Sequence, residues 1–402
     1  MCALRVLIVG AGIGGLSAAL ALARQGASVT VIEKAPALAE VGAGLQISPN
    51  ASRVLHALGL SKDVDQVAFR PECVEGRTWK RGIRVSHVPL GRTVEDRYGA
   101  PYLHIHRADL LGVLARAVTT EPRVNLLLGT PFTALQASTD GVSVTSADQR
   151  FHADLLIGAD GIRSAVRTAL CGEAMPRFTG NVAWRLVVPA NGLLEEGVKP
   201  VAGLWMGPGA HLVHYYLRGG SLLNIVAVVE RDDWQDESWS ALGSRDDLLR
   251  DFRGWHPVVG RILDRAPADG CYKWALFDRD PLPQWSKGAV TLLGDACHPT
   301  LPFMAQGACM AIEDAAVLAA CLRNVDAAAI PLALQRYESL RKPRTTAIQT
   351  GSRANTGLYH MRAPRSWVRN ILMRRAGKGL AAQAERLYGY DALAAASGPG
   401  GN

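Results

Sequence analysis

No run in this 402-residue sequence approaches the ~18 to 20 uninterrupted apolar residues of a membrane-spanning helix. Residues 4–23 are apolar, but glycines interrupt them, and the amino terminus lacks the layout of a signal peptide. These absences argue against membrane and secretory classes. We therefore predict a cytoplasmic protein without stable membrane insertion.

Cysteine is sparse and shows none of the spacings that bind metals or form disulfide frameworks. The seven cysteines include no C-x-x-C pattern, and their odd number fits a disulfide framework poorly. Cys297 is adjacent to His298, but neighbouring residues do not face each other as a nucleophile and its base must. We expect reduced core thiols and no metal site.

Acidic residues are almost missing from residues 336–378, which hold 11 Lys and Arg against the single acid Glu338. This segment accounts for the net charge of +8, and such a patch is typical of nucleic-acid or anionic-membrane binding. Its cations are scattered through helical sequence without an aromatic platform for bases. We expect no nucleic-acid site and interpret the patch as solvated helix faces or a subunit contact, which leaves a homodimer open.

A glycine-rich turn near residue 10 is the first motif that predicts a ligand. A β-type run precedes it and a helical run follows, so Gly10 fits the tight turn, Gly12 the approach to a pyrophosphate and Gly15 the packing of helix on strand. Glu33 ends the next strand, near the spacing at which an acid binds an adenosine ribose. The pattern favours a dinucleotide site over a purely structural turn, but does not distinguish a nicotinamide from a flavin.

Two later segments have the same order of strand, loop and helix. Residues 154–167 contain Asp160 in an Asp-Gly turn, and residues 292–318 contain Asp295 before a helix that begins near Gly307. A helix amino terminus suits a phosphate or an electron-rich ring oxygen, and Asp295 suits sugar hydroxyls. Taken alone, the second segment also fits an ordinary buried corner with a capping Asp.

Together the three motifs resemble those of the flavoprotein aromatic hydroxylases, the group A FAD monooxygenases, and the resemblance covers nearly the whole chain. For Arg107 the resemblance implies a contact with FAD, where its sequence context alone favours an exposed helix-start cation that pairs with Asp109. The resemblance implies non-covalent FAD held by Gly10, Gly12, Gly15, Glu33, Arg107, Asp160, Asp295, Pro299 and Gly307.

The implied fold is α/β (α+β overall), with a Rossmann-type FAD-binding domain, an interleaved and largely antiparallel substrate domain, and a helical C-terminal tail. We assign residues 1–72, 101–176 and 269–355 to the FAD-binding domain, 73–100 and 177–268 to the substrate-binding sheet, and 356–402 to the tail. A composition of 48% hydrophobic and 20% charged residues allows cores of this size. Locally, we predict a loop over 41–50 and a helix over 104–118.

The implied activity is hydroxylation of a small aromatic acid or phenol, of the hydroxybenzoate, salicylate or hydroxynicotinate type. The reaction uses NADH or NADPH and O2 and passes through a flavin C4a-hydroperoxide. A second fingerprint for the nicotinamide is absent, as expected for a reductant that docks transiently, so NADH and NADPH both stay open. A phenol has a pKa near ~10 and His near ~6.5, so an unassisted His favours the phenolate poorly and a hydrogen-bond relay or a stabilised phenolate is needed.

Candidate substrate residues lie in the middle of the chain and in the loop after Asp295. Strand alternation places His211 and Tyr215 on one face, and they match the His and Tyr that hydroxybenzoate and hydroxynicotinate hydroxylases turn toward substrate. We predict them as catalytic; the alternative is that they only fill the sheet. Relatives often have His or Gln where this chain has Pro302 and Phe303. We therefore predict Gln46, with Pro302 and Phe303, as substrate contacts.

Two other functions use the same FAD motifs. One is a flavin oxidase or dehydrogenase, against which the Asp-Gly motif and the continuous loop 299–307 argue. The other is a non-catalytic flavin-binding redox or interaction protein that uses the basic segment. Substrate-stimulated NADH consumption with a product one oxygen heavier separates the hydroxylase from both.

Overall fold

The computed structural model describes residues 3–38, 43–138, 141–147, 149–173, 175–231 and 242–395. Its strands are, in chain order, β1 (Arg5–Val9), β2 (Ser28–Ile32), β3 (Gly44–Ile47), β4 (Ala68–Phe69), β5 (Cys73–Thr78), β6 (Arg84–Pro89), β7 (Leu103–His106), β8 (Val124–Leu127), β9 (Ala134–Ser138), β10 (Gly141–Ser146), β11 (Gln149–Ala153), β12 (Leu155–Gly158), β13 (Arg177–Pro189), β14 (Ala202–Gly207), β15 (Ala210–Leu217), β16 (Leu222–Glu230), β17 (Leu242–Gly243), β18 (Cys271–Asp278), β19 (Ser286–Lys287) and β20 (Val290–Leu292).

The helices are α1 (Ile13–Ala23), α2 (Pro49–Ala57), α3 (Ser61–Val67), α4 (Arg92–Tyr98), α5 (Arg107–Thr120), α6 (Ala165–Cys171), α7 (Arg245–Asp251), α8 (Pro257–Leu263), α9 (Gly307–Cys321), α10 (Ile330–Tyr359), α11 (Arg365–Arg375), α12 (Gly377–Tyr388) and α13 (Ala392–Ala395). Among the described helices, none is both long and apolar enough to cross a membrane.

Within the described residues, the strands form two large sheets and two sheets of three strands. The first, here called the parallel sheet, has the order β19-β20-β12-β1-β2-β8 and is parallel except at its β19 edge. The second, here called the large sheet, has the order β17-β18-β13-β16-β15-β14-β5-β6 and is antiparallel except where β14 meets β5. The predicted fold class is confirmed.

The parallel sheet brings the sequence motifs to one edge. Its strands β1, β12 and β20 are almost wholly apolar and buried, as strands covered on both faces are. Because these strands are parallel neighbours, their carboxyl ends meet at the same edge of the sheet, together with that of β2. The loops that carry the glycine turn, Asp160 and Asp295 therefore meet in the kind of crevice where such sheets bind ligands.

The large sheet has two different faces. One face packs Trp184, Leu212 and Ile225 against α7 and α8. On the opposite face, Val228 and Trp274 pack against the loop that follows β20, with Leu301 and Phe303 in the contact: the cluster is Ala183, Val228, Trp274, Leu276, Leu301 and Phe303. The loop after Asp295 thus connects the parallel sheet to the large sheet.

Two local predictions differ from the structure. His104 lies in β7 rather than in a helix, and α5 begins at Arg107, because β7 pairs with both β3 and β4. Residues 44–47 form strand β3 where a loop was expected, for the same reason: their register partners are on β7. Residues 41 and 42 of that predicted loop lie outside the described residues.

The domain boundaries remain a prediction. Strand β18 joins the large sheet, although it follows the predicted boundary at residue 268. The tail is helical in its described part, and a break separates α10 from α11 near Arg362. The described cysteines are free, and all of them except Cys171 are buried.

Candidate active site

The glycines of the first motif are explained by close approaches of the backbone. Gly10 has φ +105°, and an added Cβ would lie 2.5 Å from the Ala159 carbonyl oxygen. An added Cβ at Gly15 would lie 2.0 Å from the Gly10 carbonyl oxygen, whereas one at Gly12 would meet nothing within 4 Å. Gly10 and Gly15 are therefore required by packing, and Gly12 borders open space of the kind a dinucleotide backbone occupies.

Glu33 lies beside this turn, as its spacing predicts. Its Oε2 accepts a hydrogen bond of 2.8 Å from the Ala11 backbone N–H, and its Oε1 accepts one of 3.0 Å from Ala35 N–H. The half-buried carboxylate is thus held at the strand end next to the glycine turn. This is the position from which it would bind a ribose.

Replacing Glu33 with Ala is expected to lower the FAD content of the purified protein while the fold is kept, because the half-buried carboxylate is predicted to bind the ribose and is not part of the apolar core. The measurement is the flavin-to-protein absorbance ratio, with circular dichroism for the fold. Glu173→Ala, at an exposed position after α6, is the matched control. Full flavin occupancy in Glu33→Ala would remove Glu33 from the site.

Asp160 is close to the glycine turn, but its carboxylate caps the amino terminus of helix α6. Its Oδ1 accepts from Ser164 Oγ at 2.5 Å, and its Oδ2 accepts from the backbone N–H of Ala165 and Val166 at 2.7 and 3.2 Å. These bonds satisfy donors that the first turn of α6 leaves unpaired. Contact of Asp160 with FAD stays a prediction. The structure shows that Asp160 caps α6.

Asp295 and Arg107 face the same groove from different elements. The Asp295 side chain is exposed to the groove, yet surrounding protein displaces water and raises the pKa of its carboxyl, against an opposing effect of Arg107. Arg107 begins α5, and its backbone N–H donates to the Ala43 carbonyl at 2.9 Å. Asp109 is bound by Arg218 through contacts of 2.7 and 2.8 Å.

A buried charge network that the sequence did not reveal supports the loop after β20. Asp314 on α9 accepts from Gly294 N–H at 3.1 Å and from Arg341 Nε at 2.7 Å, and its other contact is His298 Nε2 at 2.5 Å. Arg341 also contacts Glu313 at 2.6 Å, and these charged side chains are fully buried. Burial opposes ionisation of Asp314, but His298 and Arg341 outweigh it and lower its pKa to about 2.

The network continues toward α2 and the start of α9. Glu313 is also bound by Arg344 at 2.8 Å and by Asn50 Nδ2 at 2.5 Å. Asn50 in turn donates to Gln306 Oε1 at 3.1 Å. Cys297, His298 and Asp314 have the spacing of a metal group, but Arg341 and Gly294 already occupy Asp314, so we assign the three residues to this network.

The loop residues predicted to contact FAD or substrate are fixed by α10. The Pro299 carbonyl accepts from Gln349 Nε2 at 2.9 Å, and the Phe303 carbonyl accepts from Tyr359 Oη at 3.2 Å. Pro302 is exposed and opens a short 3-10 turn, and Gly307 is the first residue of α9. The loop therefore presents Pro302 outward while the Phe303 ring points into the large sheet.

His211 lies on the face of the large sheet that meets this loop. Its ring is edge-on to Phe303 with centroids 5.0 Å apart, and its Nδ1 is 2.7 Å from His360 Nε2. The residue is almost completely buried, and burial, with a further contribution from His360, lowers its pKa well below the ordinary 6.5. His211 is therefore neutral near pH 7.

Tyr215 shares the strand face of His211, as alternation predicts, and packs against β3. An added Cβ at Gly44 would lie 2.5 Å from its ring, and the His104 ring is 4.6 Å away between centroids. At the usual strand rise, the Cα atoms of His211 and Tyr215 are roughly 13 Å apart. Gln46 lies two residues beyond Gly44, where its Oε1 accepts from Tyr102 at 2.6 Å.

Arg185 is a candidate substrate residue that sequence reasoning missed. Arg185 is the register partner of Val226 on β16, and Val226 is the register partner of Val213 on β15. Arg185 therefore lies on the same face of the large sheet as His211 and Tyr215. The guanidinium stacks on Trp274 at 4.6 Å, and its buried Nε has no hydrogen-bond partner within the described residues. Burial lowers its pKa to about 10, so it remains a cation at pH 7. The signal available in the sequence was strand alternation along β13, which places the side chains of Trp184 and Arg185 on opposite faces of the sheet.

Taken together, the groove at the edge of the parallel sheet fits FAD. Gly12 leaves room for a pyrophosphate, Glu33 lies beside it where a ribose would bind, and Asp295 lies near Arg107. Arg107 also acts electrostatically on Arg185, so these residues adjoin the face of the large sheet that carries His211, Tyr215 and Arg185.

Comparison with known proteins agrees with this geometry. The FAD binding domain family matches residues 3–218 and 223–352. A 3-hydroxybenzoate 6-hydroxylase of Klebsiella oxytoca is 38% identical over 371 residues, which cover 92% of each chain. A 6-hydroxynicotinate 3-monooxygenase of Pseudomonas fluorescens is 36% identical over 368 residues, which cover 90% of this chain and 94% of that one. A solved salicylate hydroxylase in a substrate complex has a TM-score of 0.84 at 28% identity, over 98% of this chain and 97% of that one.

The protein thus has the fold and the site of a flavin-dependent enzyme. The chain belongs to the FAD-binding flavoprotein aromatic hydroxylases, and FAD is its cofactor. The predicted family is confirmed. The alternatives of a flavin oxidase or dehydrogenase and of a non-catalytic flavin-binding protein lose support, because the matched relatives are hydroxylases and monooxygenases.

Proposed function

We propose that the protein hydroxylates a small aromatic acid that carries a ring hydroxyl, with NADH or NADPH as reductant and O2 as the oxygen source. The observation that carries this proposal is the pairing of a neutral imidazole, His211, with a buried cation, Arg185, on one face of the large sheet. A hydroxyl and a carboxylate on one ring would satisfy both. Free thiols and the nicotinamide reductant fit the cytoplasmic location that the sequence predicts.

Arg185 is the group we assign to the substrate carboxylate. Its guanidinium is planar and can bind a carboxylate through two parallel hydrogen bonds, which fixes the orientation of a ring as well as its charge. The buried Nε lacks a partner within the described residues, so a bound carboxylate would satisfy it. Trp274 holds the guanidinium in place by stacking.

His211 is the group we assign to the ring hydroxyl. Its Nδ1 is engaged by His360, which leaves Nε2 to accept the hydroxyl proton. Removing that proton raises the electron density of the ring and therefore its reactivity toward an electrophilic oxygen. Bound FAD supplies the redox chemistry that activates O2.

Apolar side chains surround the reacting face. Phe303 and Leu301 from the loop pack with Val228 and Trp274 of the large sheet. Such walls exclude water, which strengthens the polar contacts to the ring and limits side reactions of reactive intermediates. Phe303 cannot donate or accept a hydrogen bond, so we assign it to shaping the pocket, and we assign the proton chemistry to His211.

The relatives support this class of substrate. They act, by their names, on 3-hydroxybenzoate, 6-hydroxynicotinate and salicylate, each of which carries a carboxylate and a ring hydroxyl. The testing experiment is a panel of hydroxybenzoates, hydroxypyridine carboxylates and simple phenols, scored by NADH and NADPH oxidation and by product mass. Turnover of a hydroxylated aromatic acid to a product one oxygen heavier supports the proposal. Hydroxylation of simple phenols with no preference for acids would contradict it.

Replacing Arg185 with Leu should raise KM for the aromatic acid about 10-fold to 100-fold, since a hydrogen bond to a charged group contributes ~1.5 to 3 kcal/mol. A phenol without a carboxylate serves as the control, because its KM should hardly change. Steady-state kinetics of both compounds with both enzymes measure the effect. An equal change in KM for the acid and for the phenol would contradict the assigned contact.

A further inference from the structure

A line of three side chains connects the buried imidazole of His211 to the protein surface. His211 Nδ1 lies 2.7 Å from His360 Nε2, and His360 Nδ1 lies 3.1 Å from Glu230 Oε1. Both histidines are almost completely buried, whereas 43% of the Glu230 side chain is exposed. The three residues come from β15, from the break after α10 and from the end of β16, so the line forms only in the folded chain.

The exposed end fixes the hydrogen-bond direction along the whole line. An ionised carboxylate only accepts hydrogen bonds, so His360 must carry its proton on Nδ1 and present a lone pair at Nε2. His211 must then donate from Nδ1 to that lone pair. A neutral His211 that donates from Nδ1 has a free lone pair on Nε2, which is the state required of a base that takes a proton from the substrate.

We infer that Glu230 and His360 form a proton relay that sets the tautomer of His211 and exchanges the substrate's hydroxyl proton with solvent. This inference deepens the proposed function and rests on it. In the forward direction the substrate O–H bond breaks and a bond forms at His211 Nε2. His211 releases its Nδ1 proton to His360 Nε2, His360 releases its Nδ1 proton to Glu230, and Glu230 releases one proton to water. Reprotonation of the product runs the same steps backward and restores the starting tautomers.

Burial makes such a relay useful. Burial lowers the pKa of both histidines, for His360 against an opposing effect of Glu230, so a trapped imidazolium would be unfavourable. In a relay each imidazole gains one proton as it loses another, and neither has to hold a positive charge. Because the proton ends in the solvent rather than on His211, ionisation of the substrate hydroxyl depends on the solvent pH and on the pKa of that hydroxyl in the site, and not on the low pKa of His211.

The side chains beside the line are a neutral phenol and a cation, and neither takes a proton from it. Tyr359 faces His211 at 5.3 Å between ring centroids, and burial raises its pKa to about 12, so it stays neutral. Arg362 Nη2 lies 3.4 Å from Glu230 Oε2, the carboxylate oxygen that His360 does not contact. His360 and Arg362 also line a surface groove with Asn355, which brings water close to the outer end.

The tautomers can be tested without a substrate. In FAD-loaded enzyme labelled with ¹⁵N at histidine, long-range ¹H–¹⁵N correlation distinguishes a proton on Nδ1 from one on Nε2, and His211→Gln and His360→Gln assign the two signals. We expect both residues to carry the proton on Nδ1 near pH 7. A proton on Nε2 of His211 would overturn the relay.

The transfer itself is tested by kinetics with 3-hydroxybenzoate and 6-hydroxynicotinate as probes. His360→Gln should lower kcat about 10-fold to 100-fold, at or below the ~10²- to 10⁴-fold worth of a positioned acid–base group, while KM stays nearly constant. Its solvent deuterium isotope effect should exceed that of the parent enzyme, and added imidazole should partly restore His360→Ala. Glu230→Gln, at the exposed end, should show a smaller loss in the same direction.

Two matched controls isolate the relay from general damage to the sheet. His214→Gln changes a buried histidine on the opposite face of β15, and Arg362→Ala removes a cation beside Glu230 without interrupting the line. Both should keep the isotope effect of the parent. Parent-like kcat and isotope effect in His360→Gln would overturn the relay, whereas failure of the parent itself to hydroxylate either probe would count against the proposed function and leave the tautomer measurement to decide the relay.

Discussion

The His211→Ala enzyme is expected to bind FAD as the parent does and to hydroxylate its substrate about 10² to 10⁴ times more slowly, the usual worth of a positioned acid–base group. The imidazole lies on the large sheet beside Phe303, away from the glycine turn and Glu33, so FAD binding should be unaffected. Because reduction and oxygen activation belong to the flavin, NADH should still be oxidised, with more of the flux released as hydrogen peroxide.

Coupling of NADH oxidation to product formation is the measurement for this variant. Tyr215→Phe keeps the ring that packs on His104 and loses only the hydroxyl, so its loss of rate should be smaller. His214→Ala, on the other face of the same strand, is the control for a cavity in β15. If His211→Ala hydroxylates at the parent rate and coupling, His211 and Tyr215 merely fill the sheet.

Replacing Arg341 with Met should destabilise the protein by about 3 to 5 kcal/mol, the range for removal of one partner from a buried ion pair. Arg341 contacts Glu313 at 2.6 Å and Asp314 at 2.7 Å, and all three side chains are fully buried. Its loss removes one counter-charge from each of two buried carboxylates. The loop after β20 should loosen as well, since Asp314 also binds Gly294 and His298.

Urea unfolding of the FAD-loaded enzyme measures this effect through its midpoint and slope. Arg70→Met is the matched control, because Arg70 also pairs with two acids, Asp65 and Glu95, but is 47% exposed. Exposed pairs typically contribute only about 0 to 1 kcal/mol. Equal midpoints for the two variants would show that the buried network contributes no more than a surface pair.

The part of the site that is best predicted from the sequence is the set of glycines that close backbone approaches require. A Cβ added at Gly10 or Gly15 would lie 2.5 or 2.0 Å from a backbone carbonyl oxygen, so only glycine fits at either position. This requirement gives the motif its fixed spacing of glycines. Burial of the apolar runs of β1, β12 and β20 on both faces likewise follows from local pattern. The faces of His211 and Tyr215 followed from strand alternation alone.

Residues whose role depends on distant partners were not predictable in this way. Arg185 becomes a candidate anchor only when β13, β16 and β15 lie side by side, and His360 becomes a partner of His211 across 149 residues of sequence. Glu313 and Asp314 interrupt an otherwise apolar, Ala-rich helix, and buried adjacent acids require cations from elsewhere, here Arg341 and Arg344.

The most direct test of the account is turnover of a hydroxylated aromatic acid under isotopically labelled dioxygen, with mass analysis of the product. We expect NADH or NADPH consumption that depends on the acid, and one labelled oxygen atom in the aromatic product. Release of all the label as hydrogen peroxide, or an oxygen atom that derives from water, would contradict it.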